Sequence, residues 1–149
     1  MRLFFFTLLL MALGLQGAEG LVSLQSSHTV GVTADRLEAA IKGRGLTLFN
    51  RIDHRANASA AGLDMNPSVL FIFGNPRLGT PLMKCAPTMA IDLPQKILIR
   101  RGADGTVWLS YNDPFALARR HDMRDCLALL KKIAAALNGL AREATGEQP

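Results

Sequence analysis

The chain has 149 residues, with 17 Lys and Arg against 12 Asp and Glu, and a formal net charge of +5. This length suits one domain with one hydrophobic core. The positive charges are scattered in short doublets and do not form the stripe typical of nucleic-acid-binding proteins, so nucleic acid is not an expected partner.

The N-terminal segment has the organisation of a secretory signal peptide. A positive start is followed by an apolar run over 3–15 and then by small and polar residues. The run is too short to span a bilayer, so we predict a signal peptide over 1–20, cleaved after Ala18 or Gly20. The mature protein is then a periplasmic or secreted single domain over 21–144, with no stable membrane insertion.

The mature chain begins with a predicted strand and helix. Weak alternation over 21–30 indicates the strand. The helix is predicted over 34–44, with Thr33 as its N-cap and Gly45 after its end.

A second strand follows, because the apolar period changes to two between Leu46 and Asp53. Leu46, Leu48 and Ile52 are predicted to face the core together. Asn50 falls on the same side, as an exception that the pattern does not explain.

The middle of the chain predicts a short helix, a buried strand and another helix. The short helix is predicted over 55–62, and the continuous apolar run Val69–Phe73 is typical of a central strand. Gly74–Pro76 breaks this strand. Thr80–Pro81 then predicts the start of a helix, which Pro87 limits.

The last third predicts a hairpin and a long helix. Two strands, 95–101 and 106–111, surround the turn 102–105. Asp122 is predicted to cap a C-terminal helix that continues to Ala144, with apolar residues at helical spacing.

Pro114 opens a helical region before that last helix, and the tail 145–149 is predicted to be disordered. The order of the main elements is therefore strand, helix, four strands, helix, with a loop-rich insertion between the third and fourth strands. Such an order predicts the α+β class, with a single antiparallel sheet and the helices packed on one face.

The common catalytic motifs are absent from the sequence. It has no phosphate-binding loop, dinucleotide fingerprint, paired CxxC, HExxH or serine elbow. A binding protein is therefore expected rather than an enzyme, and the sequence leaves the question of a cofactor open.

The first candidate site is the segment 73–84. Its glycines let a ligand approach the backbone, and the N–H groups of a helix that starts after Thr80 favour anions. The neighbouring apolar residues would border a pocket for a small organic ligand. An ordinary strand-to-helix connection explains the same punctuation. The ligand-binding residues predicted here are Gly74, Asn75, Pro76, Arg77, Gly79, Thr80 and Lys84.

The second candidate site collects soft metal ligands. His54, Met83 and Cys85 together would suit Cu(I), although a lone histidine is also typical of a hydrogen-bonded structural role. Cys85 and Cys126 form either one disulfide or two buried thiols.

A third hypothesis is enzymatic. It requires Tyr111, Asp113 and His54 to meet in one cleft. A turn that leads into a helix at Pro114 explains Tyr111–Pro114 equally well.

An ordered series of short motifs resembles the domain of unknown function 302 family. The similarity extends from about Val22 to His121. The motifs that carry it are Arg51–His54 with Asn57 and Ala61–Gly62, Phe73–Pro76, Gly79–Met83, Ala86–Pro87, Ile91–Pro94, Asp104–Gly105 and Tyr111–Pro114.

The resemblance implies a fold similar to the TATA-box-binding-protein-like class, a β-α-β(4)-α unit that often forms homodimers. It does not imply DNA binding, because function depends on sites and not on folds. It carries no catalytic residue. His54, Asn75, Pro76, Asp92 and Tyr111 lie within its motifs and are therefore candidate ligand-binding residues.

The main interpretation is an exported, non-enzymatic, homodimeric binding module for a small organic or anionic ligand. The alternative is a copper-binding or redox-related protein that uses His54, Met83 and Cys85.

Overall fold

A computed structural model describes residues 18–147. Its centre is a five-stranded antiparallel sheet with the strand order β1-β5-β4-β3-β2. The strands are β1 (Leu21–Ser26), β2 (Thr47–Asp53), β3 (Ser68–Gly74), β4 (Gln95–Arg101) and β5 (Val107–Asn112).

Five α-helices and one 3-10 helix accompany the sheet in the described residues. They are α1 (Val30–Gly43), α2 (His54–Ala60), α3 (Pro76–Cys85), the 3-10 helix (Pro87–Ile91), α4 (Pro114–Arg120) and α5 (Leu127–Thr145). α1 and α5 pack against each other and against the same side of the sheet. The predicted α+β class and single antiparallel sheet are confirmed.

The hydrophobic core lies between the sheet and these two helices. Phe71, Ile97 and Leu109 point from the three central strands toward Leu37 of α1 and Leu130 of α5, and all five side chains are fully buried. Burial of each such side chain contributes about 1.5–3 kcal/mol, so this face of the sheet dominates the stability.

A β-bulge in β2 corrects the predicted facing of that strand. Leu48 pairs with Phe73, and Asn50 pairs with Ile72, the adjacent residue of β3. Phe49 is therefore an extra residue on β2. An extra residue reverses the alternation after it. Arg51 therefore lies on the helix-facing side, with its guanidinium 5.3 Å from the Phe71 ring centre, and Ile52 faces away from the core.

Two helices begin earlier than predicted. α1 is capped by the Thr29 hydroxyl, which accepts from the backbone N–H of Val32. Thr33 is fully buried and hydrogen-bonds Ser26 instead. α3 starts at Pro76, because Asn75 caps it and Pro at the first helical position suits the fixed φ.

The two C-terminal helices are separate, which corrects the prediction that Asp122 caps the last one. Asp122 and Cys126 both have positive φ, and α5 begins only after Cys126. Arg142 is half-buried, and its Nε is buried without a hydrogen-bond partner in the described residues.

α5 ends at Thr145, one residue after the predicted end. The Thr145 side chain is buried, and its carbonyl accepts from the Ser27 backbone N–H at 3.1 Å. The predicted signal peptide lies almost entirely outside the described residues. Within them, no helix has the length and apolar character needed to cross a membrane.

Candidate functional site

An apolar cleft of about 260 Å³ lies at the end of the sheet where β3 finishes and β4 starts. Phe73 and Gly74 form its floor, α3 forms one wall, and α5 forms the other. Leu93 and Pro94, which follow the 3-10 helix, complete the rim. The cleft is therefore built from the β3–α3 connection and from two segments further along the chain, the loop before β4 and the helix α5.

The α3 wall is shaped by its cap. The Asn75 side-chain oxygen accepts from the Arg77 N–H at 2.9 Å, and the Asn75 carbonyl accepts from Leu78 and Gly79. This geometry turns the chain directly from β3 into α3. Gly79 then faces the cleft, and a Cβ placed there would meet only a methyl group of Leu93 at 3.9 Å.

The bulge residue Phe49 also lines the cleft. Its ring lies beside Gly74, where a Cβ would be 3.6 Å from the ring edge. Phe49 is 53% exposed, which is high for an aromatic residue. The bulge thus directs an aromatic side chain to the mouth of the cleft instead of leaving it in the regular alternation.

The opposite wall is the middle of α5. Ile133, Leu137 and Leu140 present their side chains to it, and Ala136 leaves space between them. Leu137 and Leu140 are almost completely buried, at 2% and 1% exposure. This wall belongs to the hydrophobic core and to the cleft at the same time.

The chemistry of the cleft is apolar and uncharged. No Asp, Glu, Lys, Arg or His is among the described residues that line it. The polar side chains are those of Asn75, Thr80 and Gln95. Such a lining binds an uncharged, largely apolar molecule with a few polar atoms, and it offers no acid, base or nucleophile with a partner.

Some residues of the predicted segment 73–84 line the cleft, and others are exposed to solvent. Five of its predicted residues line the cleft: Gly74, Asn75, Pro76, Gly79 and Thr80. Arg77 and Lys84 are exposed residues that do not line it. The predicted helix start at Thr80–Pro81 is wrong, because α3 begins at Pro76, five residues before Pro81.

The remaining predicted ligand-binding residues lie elsewhere. His54 is the first residue of α2. Asp92 follows the 3-10 helix, and its carboxylate binds His121 Nε2 at 2.6 Å and Arg120 at 3.3 Å. His121 Nδ1 in turn lies 2.9 Å from the Thr88 hydroxyl. This cluster ties α4 to the segment that forms the rim of the cleft.

Tyr111 lies in the core, 5% exposed, on the helix-facing side of β5. Burial, with the nearby Asp113 carboxylate, raises the pKa of its phenol. Asp113 caps α4 by accepting from the Phe115 N–H. Three strand spacings, about 14 Å, separate Tyr111 from the strand that leads to His54. The three residues of the enzymatic hypothesis are therefore not brought together.

The soft metal set is not assembled either. His54 follows Asp53, which pairs with Val69 near the start of β3. Met83 and Cys85 lie in α3, which begins just beyond Gly74 at the other end of β3. Val69 and Gly74 are about 16 Å apart along the strand. Cys85 is joined to Cys126 in a disulfide, with a Cα–Cα distance of 6.7 Å, and so has no thiolate to offer. Within residues 18–147, no group of three His, Cys, Asp or Glu could hold a metal ion.

The family model for "Domain of unknown function DUF302" matches residues 22–140. The chain belongs to the DUF302 family. A crystal structure of an uncharacterised DUF302 protein from Bacillus stearothermophilus superposes with a TM-score of 0.73. It is 20% identical, and the match covers 85% of this chain and 99% of that one, which shows a shared fold.

Longer relatives come from Brucella. Proteins named "Fluoride-specific ion channel FluC 1" from Brucella suis biovar 1 (strain 1330) and Brucella abortus biovar 1 (strain 9-941) are each 45% identical over 104 residues, or 70% of this chain. The matches cover 41% and 38% of those proteins. The chain therefore spans about two fifths of their length, and their name describes longer proteins.

Two parts of this DUF302 site escaped the sequence reasoning. Phe49 was missed because the bulge that turns it toward the cleft is visible only in the pairing of β2 with β3. For the α5 wall, the sequence predicts only apolar residues at helical spacing. Ala136, a small residue beside Leu137 and Leu140, is a signal that could have indicated a space there.

Proposed function

We propose that this DUF302 chain is an exported, non-enzymatic binding module for a small uncharged organic ligand, and that it acts as a homodimer. The observation that carries the ligand class is the apolar cleft between α3 and α5, which no ionisable side chain of residues 18–147 lines. A charged ligand that moved from water into the cleft would lose its hydration without gaining an oppositely charged partner.

The volume of the cleft limits the size of the ligand. A dry cavity of roughly 150 Å³ lined by aliphatic and aromatic residues holds benzene. The cleft, at about 260 Å³, has room for a two-ring compound or a short acyl chain. Phe49 at the mouth supports an aromatic ligand, because its exposed ring offers a stacking surface.

Export is supported by the pattern of residues 1–20 and by the disulfide, since disulfides persist mainly in oxidising compartments. Periplasmic or secreted location follows from the same proposal.

Filling the cleft should abolish ligand binding without harming the fold. We expect 1-naphthol at ten times its Kd to raise the Tm of the native protein by about 5 °C. Gly79→Leu should remove this shift, because the new side chain enters the cleft. The variant itself should be as stable as the native protein or slightly more stable, since a helical glycine costs about 1 kcal/mol. Differential scanning fluorimetry measures both effects.

Gly43→Leu is the matched control. Gly43 is the last residue of α1, and a Cβ there would meet nothing within 4 Å. This variant should keep the full shift with 1-naphthol, while the cationic analogue 1-naphthylmethylammonium should give none with any of the three proteins. A Gly79→Leu protein that retains the shift would exclude the cleft as the binding site.

The homodimer proposal rests on the side of the sheet that α1 and α5 leave open. Ile52, Leu70 and Leu98 form one cross-strand row on that side, and each is only half-buried. Ile72 and Trp108 extend the apolar area. A second copy that packs the same side against it would bury this surface, as an isologous dimer does.

A charge at the centre of this row should produce a monomer. We expect Leu98→Lys to halve the mass measured by light scattering at a protein concentration of about 100 μM, because a buried lysine would have no partner in the interface. Val32→Lys, on the exposed side of α1, is the control and should remain dimeric. A native protein that is monomeric at 100 μM, a concentration at which a dimer with the roughly micromolar Kd of a modest interface would be saturated, would refute the homodimer.

A further inference from the structure

A second concave site lies at the other end of the sheet, where β3 starts and β4 ends. This groove, of about 470 Å³, is bounded by the start of α1 at Val30 and Gly31 and by the hairpin residue Gly105. Val69 and Val107 form an apolar floor. It shares no lining residue with the cleft.

Arginines surround this groove. Arg51, Arg55 and Arg101 line it, against the single carboxylate of Asp53. Arg101 is a charged residue at a position where an apolar one is expected. It continues the helix-facing row of Ile97 and Ile99 on β4, and both of these isoleucines are buried. Its side chain therefore lies on the groove side of the sheet and not on the open side.

The charges in the groove are not balanced by the protein. The Arg51 guanidinium is held by Asp35 at 3.1 Å and Glu38 at 2.9 Å, and the Asp53 carboxylate accepts from the Ala56 N–H at the start of α2. Arg55 and Arg101 form no salt bridge with any residue of the described range 18–147.

We propose that this groove binds a small organic carboxylate. Two guanidinium groups offer bidentate, charge-assisted hydrogen bonds to a carboxylate. The valine floor accommodates an apolar body attached to it. Thr29 and Ser68, which also line the groove, add hydroxyl donors. The groove thus selects a charged ligand, whereas the cleft selects a neutral one. The proposal for the groove does not depend on the function proposed for the cleft.

The test is a titration of the whole chain with benzoate at low salt, followed by amide NMR. We expect shifts at Gly31, Ser68 and Val107, with the amide of Gly79 in the cleft unchanged. Arg101→Ser should weaken benzoate binding at least about tenfold, the loss typical of a hydrogen bond to a charged group. Arg55→Ser should weaken it as well, which provides a second variant if the first fails to fold.

Arg100→Ser is the matched control. Arg100 precedes Arg101 on β4 and pairs with Trp108 on the open side of the sheet, so the net charge changes equally while the groove stays intact. Binding should stay within about twofold, because Arg100 is exposed on the opposite face of the sheet, where the high dielectric constant of water weakens its interaction with an anion in the groove. Equal losses in Arg100→Ser and Arg101→Ser, or benzyl alcohol or sulfate binding as tightly as benzoate, would overturn the proposal.

Discussion

Reduction of the Cys85–Cys126 disulfide is expected to lower the free energy of unfolding by about 4 kcal/mol. The bond closes a loop with a sequence separation of 41, and the chain-entropy model assigns roughly that value to a loop of this length. This is a large fraction of the total stability of a domain of this size. Urea denaturation with and without dithiothreitol measures the difference.

The same bond should also matter for the cleft. Cys85 is the last residue of α3, and Cys126 directly precedes α5. The disulfide therefore holds together the two helices that form opposite walls, and its reduction should weaken 1-naphthol binding. The double variant Cys85→Ser, Cys126→Ser is the control, because dithiothreitol should leave its denaturation curve unchanged. Identical curves for the oxidised and reduced native protein would contradict the expected stabilisation.

Leu137→Ala is expected to cost about 3 kcal/mol of stability while enlarging the binding site. Leu137 is 2% exposed and packs into the core from α5. Truncation of such a leucine to alanine costs about 2–5 kcal/mol of stability. Because Leu137 also lines the cleft, the volume that it vacates adds to the cleft. The variant should therefore bind biphenyl-4-ol, a probe larger than 1-naphthol, more tightly than the native protein does.

Leu130→Ala separates the two effects. Leu130 lies on the same buried side of α5, is fully buried, and does not line the cleft. It should lose similar stability without any gain in biphenyl-4-ol binding, as measured by the ligand-induced change in Tm. A gain of equal size in both variants would show that the probe binds to general core defects and not to the cleft.

Local patterns predicted the fold well where the signal and the structure are both local. The hairpin around 102–105 and the central strand before Gly74 are present as predicted, although only alternate residues of that strand are buried. Both depend on turn residues and on a continuous apolar run, which act within a few residues. The apolar stripe through Leu130, Ile133 and Leu137 is also confirmed.

Prediction failed where a single residue changes the register. The alternation from Leu46 to Ile52 is regular in sequence except at Asn50, but the bulge at Phe49 reverses the facing of everything after it. A bulge is defined by two residues that oppose one on the partner strand. The partner strand lies some twenty residues further along the chain, and no local period contains that information.

The candidate site shows the same division. Its α3 wall was predicted from Gly74, Asn75 and Gly79, because turn and cap residues are distinctive in sequence. The α5 wall and Phe49 were not predicted, since an apolar residue that lines a cleft has the same helical or strand spacing as one that lies in the core.

The sequence by itself determined the class of the fold, the order of its elements, and the segment 73–84 as part of a site, since short-range periods, caps and turns encode these features. Only the tertiary structure decided which apolar side chains border a space, that Arg101 faces a groove, and that His121 meets Asp92 across 29 positions of the chain. These features depend on how distant segments pack against each other, and this packing cannot be read from the sequence of either segment alone.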